Sequence, residues 1–458
     1  MNITRAQAAK LLWIVTALWL IVMLTSLRTG WLSGFFFDST HAHVQGIDFF
    51  PVERAFLNFV AGRSQYDTFA IVYGPYATWF LYHPALALVL GPLLAPFEPW
   101  TAYAVWTAIS FTLMAASAWL VLRRTKDPVR RALVALLMLG GFPVYIMLFV
   151  GNVQALLVLS ITLVLVAVDA MREEGPTRLN QRLLLAGLLL SLFSKPAVFA
   201  MLPILLMLYE TRRATLKALS IYIAVSFLLI AIPGFNPVSM SWDQRILLAT
   251  HPALILESMN VYTNGFHVTP AMQDNSIHWL AMIGLSGFRF QHVDVYSLPT
   301  FLDGLFHTLT PAALYRIPAI LILAMSVLVW FISPRPARLE AALLVLMASS
   351  LLVFLSYGLV WEYHYTSVFP LAALLLVRKH LSKLDWVIVV LGVVVWLPSL
   401  YFALSTQDAS QLWVETLLRL DRVVPVLVIF CLMLVRAVQI AREGGLQAHP
   451  ALGDDVAR

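Results

Sequence analysis

Apolar runs of roughly membrane-crossing length recur from residue 11 to residue 440, separated by short polar or basic segments. A helix needs about 20 apolar residues to cross the hydrocarbon core, fewer where its ends are buried in protein. That length predicts twelve spans at roughly 11–27, 100–122, 132–150, 153–171, 183–194, 196–210, 218–233, 312–332, 339–357, 365–377, 385–404 and 423–440. The first run follows Arg5 and Lys10, as a signal peptide would, but Arg28, Thr29, Gly30 and Trp31 follow it where a small-residue cleavage pattern would stand. It reads as an uncleaved anchor. Residues 76–96 are also apolar, yet Pro75, Pro84, Pro92, Pro96 and Gly91 break the pattern, which predicts broken helices at the outer interface or re-entering the membrane.

Charge fixes the expected orientation. Of the 30 Lys and Arg residues, 21 fall on one set of short segments: the start, 123–131, 172–182, 211–217, 333–338, 378–383 and 436–458. The positive-inside rule makes these cytoplasmic, with both termini. Counting 76–96 as a span would put the densest basic cluster, 123–131, on the wrong side. Two outer segments are long, about 28–99 and about 234–311, so chemistry is sought on the outer face.

Composition agrees with the pattern. The chain has 458 residues, 60% hydrophobic and 12% charged, where a soluble domain is about half apolar and about a quarter charged. The expected architecture is therefore all-α: one integral membrane domain over residues 1–458, about twelve transmembrane helices, and interfacial helices in the first outer loop. The net charge of +6 is dispersed over loops and forms no nucleic-acid patch. Cys431 is the sole cysteine, so no intrachain disulfide forms. There is no Gly-rich phosphate loop and no Walker-type motif, which argues against a soluble nucleotide substrate.

Polar residues gather at the outer ends of the spans. In the first loop, Asp48 stands beside aromatics, and partial desolvation raises a carboxylate's proton affinity, as a general base requires. A helix cap is an equal alternative for it. His41 and His43 with Asp48 form a weak metal-ligand pattern, and no metal or cofactor is expected. Asn152 and Gln154 sit at a short outer turn, where Asn152 could equally cap a helix. Lys195, at a tight turn before Pro196, could snorkel to headgroups or hold a phosphate in a cavity; the shortness of its flanking spans favours the phosphate. Residues 361–365 carry His364 among Trp and Tyr that would otherwise read as an aromatic belt. Residues 273–278, with Asn275, add a polar cluster in the second loop.

As an ordered set these residues resemble glycosyltransferase family 87. Residues 46–106, with Asp48, a helix ending at Gly62, Tyr66-Asp67, Tyr82-His83-Pro84-Ala85 and Pro92, are similar to that family's first outer loop, patterned Asp-Leu, Gly, Tyr, Tyr-Pro-Pro. Gly151-Asn152-Val153-Gln154 resembles its Gly-Gln-Val-Asn element, and Lys195-Pro196 its lysine-proline turn. Asp274-Asn275-Ser276-Ile277 resembles its Asn-Gln-Ser-Leu, and residues 361–364 its Ser-Trp-x-His-His. His83 stands where the family has proline, the Asn and Gln of 151–154 are exchanged, and Tyr363 precedes a single histidine.

The resemblance implies a GT-C bundle that transfers a hexose, mannose in the best-known members, from a polyprenyl-phosphate donor to a lipid or glycan acceptor. It implies Asp48 as general base, with Lys195 and His364 near the donor phosphate. Asn152, Gln154, Asn275, Glu53 and Tyr82 are then expected at the substrate, in an extracytoplasmic site of an inner membrane. The alternatives are a GT-C enzyme using another lipid-linked sugar, and a transporter or flippase of lipid-linked sugars. The latter would need polar residues through the middle of several spans, where Leu, Val, Ala and Ile predominate.

Overall fold

The computed structural model describes residues 4–35, 45–61, 71, 73–75, 80, 82–195, 197–231, 312–332, 335–356, 362–399 and 420–447. Every regular element among them is helical. In chain order these are α1 (Arg5–Thr29), α2 (Phe50–Val60), α3 (Pro84–Leu94), α4 (Pro99–Leu122), α5 (Pro128–Leu139), α6 (Phe142–Val150), α7 (Gln154–Glu174), α8 (Arg178–Phe193) and α9 (Leu202–Met207). There follow α10 (Tyr209–Ala231), α11 (Ala312–Trp330), α12 (Arg335–Ser350), α13 (Leu352–Ser356), α14 (Phe369–Leu376), α15 (Lys383–Trp396) and α16 (Leu420–Gln447). Short 3-10 helices at Ala197–Met201 and Glu362–Val368 lead into α9 and α14.

Helix occupies part of each of the twelve expected spans, but several are broken. Four described helices are long and apolar enough to cross a membrane: α1, α4, α7 and residues Leu420–Glu443 of α16. The pair α5 and α6 makes a fifth if it counts as one span, bent by 40°. The bend falls at Gly140 and Gly141, just before Pro143, where the ladder of amide bonds is interrupted. Two indoles satisfy carbonyls there: Trp19 Nε1 donates to Gly140 O (2.6 Å) and Trp396 Nε1 to Leu136 O (3.2 Å). Proline also sits in the first turn of α9 and of α14, where the expected spans 196–210 and 365–377 break. In residues 76–96 the helix is α3, 11 residues with Pro92 inside it. At about 1.5 Å per residue that is too short to cross.

Helix α7 is the centre of the bundle, buried along nearly its whole length and packed against α4, α8 and α12. Its approach to α8 is close because Gly187 presents no side chain: a Cβ there would lie 2.9 Å from Ser160 O. Ser160 Oγ donates to Gly187 O at 2.7 Å across the same contact, the small-residue, hydroxyl-bonded packing that apolar helices use where lipid offers no hydrophobic driving force.

One end of this bundle is a lattice of ion pairs. Asp169 and Glu173, in the last turns of α7, take Arg124 (2.9 and 2.5 Å), and Arg172 pairs with Asp169 (3.0 Å). Glu340 on α12 joins Arg172 and Arg378 (both 3.3 Å), and Glu210 on α10 takes Arg338 (2.8 Å) and Arg335 (3.2 Å). The arginines and Glu173 belong to the segments expected to be cytoplasmic, and Asp169, Glu210 and Glu340 lie within three residues of them, at the ends of expected spans.

Candidate active site

The opposite end of α7 begins where α6 stops. Gly151 ends α6 in the left-handed region (φ 72°), its N–H bonded to Leu148 O (3.2 Å) and that of Asn152 to Met147 O (3.0 Å). This reversal needs glycine twice over, because a Cβ would also meet Phe49 Cβ at 2.6 Å. The remaining carbonyls at the end of α6 are orphans of helix termination and must find other donors. Tyr103 Oη donates to Leu148 O and Phe149 O (3.0 and 2.9 Å), and Trp106 Nε1 to Gly151 O (2.9 Å). The first loop supplies the rest: the N–H of Gly46 binds Phe149 O and that of Asp48 binds Val150 O, both at 2.9 Å.

Asp48 is thus pinned by its backbone, and its side chain does not cap a helix. Phe49 holds the N-cap position of α2. The Asp48 carboxylate instead accepts from Asn152 Nδ2 at 2.8 Å, and Tyr82 Oη lies 3.4 Å from the same amide nitrogen. Asn152 stands one residue before the N-cap Val153, and its Oδ1 accepts from the N–H of Gln154, the first residue of α7, at 2.9 Å in an Asx-type turn. One amide therefore starts the central helix and holds the carboxylate.

Gln154 holds the cation. Its Oε1 accepts from Lys195 Nζ at 2.9 Å, and its Nε2 donates to Ser367 Oγ (2.7 Å) and to His364 O (3.4 Å). Lys195 lies in the turn after α8 and points inward, with Nζ 3.3 Å from His364 Nε2 and 5.1 Å from the centre of the Tyr363 ring. An imidazole that accepts from the ammonium carries its own proton on Nδ1. Tyr363 closes the circuit through a hydrogen bond to Asp48.

Burial sets the protonation of these groups. It raises the Asp48 carboxyl above its ordinary value, against the opposing pull of Asn152, Lys195 and Tyr363. It lowers Lys195 to about 7, with the Asp48 charge resisting. A carboxylate and an amine thus face one cluster, each easier to neutralise than in water. Asp48 and Lys195 feel each other's charge, yet no direct ion pair joins them among the described residues.

Other expected site residues fall elsewhere. Glu53, in the first turn of α2, is fully buried, neither oxygen has a hydrogen-bond partner among the described residues, and burial lifts its carboxyl to about 8, so it holds a proton at neutral pH. No described contact ties it to the Asp48 cluster. His83 caps α3: Nδ1 accepts from the N–H of Ala85 (3.1 Å), which leaves Nε2 to donate to Ser226 Oγ (3.2 Å). Asn275, His41, His43, Tyr66, Asp67 and Trp361 lie outside the described residues. Among the described residues no cluster of His, Cys, Asp or Glu could hold a metal ion.

Two members of the cluster were not expected. Tyr363 reads as a belt aromatic from its neighbours, and its burial is what places it in the site. Ser367 stands three residues after His364, the helical spacing that puts both toward Gln154. No protein-family model, no curated protein and no solved structure matches this chain.

Proposed function

We propose that the chain is an integral membrane glycosyltransferase of about twelve spans, transferring a hexose from a polyprenyl-phosphate donor to a lipid or glycan acceptor with inversion. The observation that carries this reading is the pair of amides two residues apart. Asn152 brackets a carboxylate, and Gln154 brackets a lysine beside a histidine. Inverting transfer from a sugar phosphate needs a base on one face of the anomeric carbon and cations on the other, where charge develops on the leaving phosphate.

In this mechanism the acceptor hydroxyl attacks the anomeric carbon, the bond to the phosphate oxygen breaks, and Asp48 takes the hydroxyl proton. Lys195, charged, and His364 hold the departing phosphate by charge-assisted hydrogen bonds. Mannose is the donor sugar favoured by the family resemblance. No metal is required by these roles. The ion-paired end of the bundle is cytoplasmic and the site faces outward, so the donor enters sideways from the outer leaflet of an inner membrane.

The test is transfer of radiolabelled mannose from synthetic polyprenyl-phosphate-mannose to endogenous membrane acceptors, with wild type and Asp48→Asn in parallel. Transfer by the wild type alone supports donor, class and base together. Transfer by both refutes the base, and silence from both across a panel of polyprenyl-phosphate hexoses refutes the class in favour of a transporter.

A further inference from the structure

His364 reaches Lys195 from the 3-10 helix Glu362–Val368, which has no long helix of its own to fix its direction. A short 3-10 helix is a weakly bonded element and needs outside support to hold a side chain in place. Its far end is held by an arginine from another part of the chain. Arg422, in the first turn of α16, is wholly buried, and its Nη2 donates to Glu362 Oε1 at 2.5 Å. The same nitrogen donates to Leu397 O (2.5 Å), and Nη1 reaches Val394 O (3.4 Å), both carbonyls at the C-terminal end of α15. Asp421 lies 3.6 Å from Nη1 and is itself approached by Ser399 Oγ at 3.2 Å. The guanidinium carbon stands 5.9 Å from the ring centre of Tyr365.

One planar fork therefore joins three elements: the start of α16, the end of α15, and the helix that carries His364. Taking two charges out of water is costly, and apolar side chains of the same volume often serve stability as well or better. What the ion pair supplies is direction, since a guanidinium meets a carboxylate in a fixed geometry that apolar packing does not impose. Glu362 is two residues from His364 and one from Tyr363, so any rotation of its anchor turns the two side chains that face Lys195.

We propose that Arg422, acting through Glu362, is a positioning residue that holds His364 and Tyr363 against Lys195, and so sets the affinity of the site for the donor phosphate. The proposal rests on the glycosyltransferase reading for its kinetic consequence, but not for its geometry.

The experiment uses the full chain, purified in lipid nanodiscs, as wild type, Arg422→Lys, Glu362→Gln and the double variant Glu362→Leu with Arg422→Met. The double variant removes the two fully buried charges together, and Asp421, which loses the guanidinium, keeps its hydrogen bond from Ser399 Oγ. The two conservative single variants serve if it does not fold. The readouts are site-resolved labelling of His364 by diethyl pyrocarbonate, followed by mass spectrometry, and kcat and KM for polyprenyl-phosphate-mannose. The expected result is faster labelling of His364 and a donor KM raised about tenfold, with a smaller change in kcat, in folded variants whose melting matches the wild type. Folded variants with wild-type labelling and wild-type KM overturn the proposal. If the wild type transfers no sugar, the glycosyltransferase reading fails by itself, and the labelling rate alone decides for or against the clamp.

Discussion

The two ends of α7 are about 30 Å apart for its 21 residues, and they treat charge in opposite ways. At the Glu174 end Asp169, Glu173, Glu210 and Glu340 each pair with two arginines, most of them partly buried. At the Gln154 end a carboxylate and an ammonium are brought to one cluster and then held apart, each by a neutral amide. In pairs of the first kind the charges spend their attraction on each other, which adds modestly to stability where the partners are partly exposed. Charges held by neutral partners keep their capacity to act on something else.

That contrast can be broken, and the largest effect is expected at Asp48. Asp48→Asn keeps the shape and can still accept from Asn152, so folding should be unchanged while transfer falls about 10²–10⁴-fold. A purified variant that turned over at the wild-type rate would remove the distinction between the two ends. Lys195→Ala should cost about 10²-fold in kcat/KM and weaken donor binding as well. Its companion, Lys195→Arg, sharpens the point through pH. The free-enzyme profile should fall on the acid side as Asp48 takes a proton, from a value raised by burial, and on the alkaline side as Lys195 loses one at about 7. Arginine does not deprotonate, so the alkaline limb should vanish from the kcat/KM profile of that variant.

Gly151→Ala should act on structure first. The positive φ and the 2.6 Å approach to Phe49 predict a loss of about 1–3 kcal/mol, read as a lower melting midpoint, with transfer lost in proportion as the Asp48 loop comes off the end of α6. The smallest effect is expected at the ion-paired end. Glu340→Gln breaks the pairs to Arg172 and Arg378, yet should change stability by no more than about 1 kcal/mol and leave transfer unchanged. A large loss of activity from that change would mean that the two ends are coupled through α7.

Much of the helical pattern was legible because apolar length is a strong one-dimensional signal. Where it misled, the cause was local: Gly140, Gly141 and Pro143 bend the span at 132–150, and proline breaks those at 196–210 and 365–377. Asp48, Asn152, Gln154, Lys195 and His364 stand out as polar residues beside apolar runs, Tyr82 enters only through the family resemblance, and the fold brings them together. Their division of labour did not show, because it depends on which amide atom faces which charge. Asp48 could be a cap until α2 was seen to start without it, and Lys195 could snorkel until its ammonium was seen on Gln154. The Arg422–Glu362 pair left the faintest trace. Its members are 60 residues apart and each sits beside ordinary interfacial neighbours.

The amide bracket also bears on how such a chain can drift. A primary amide is the one neutral side chain that offers a carbonyl to a cation from one edge and an N–H pair to an anion from the other. Asparagine and glutamine at positions 152 and 154 differ in reach, not in kind, so an exchange of the two along the chain preserves what each charge needs if the partners shift by about a methylene's length, roughly 1.5 Å. Replacing either amide by a group with a single hydrogen-bonding sense, a leucine or a second lysine, has no such neutral path back.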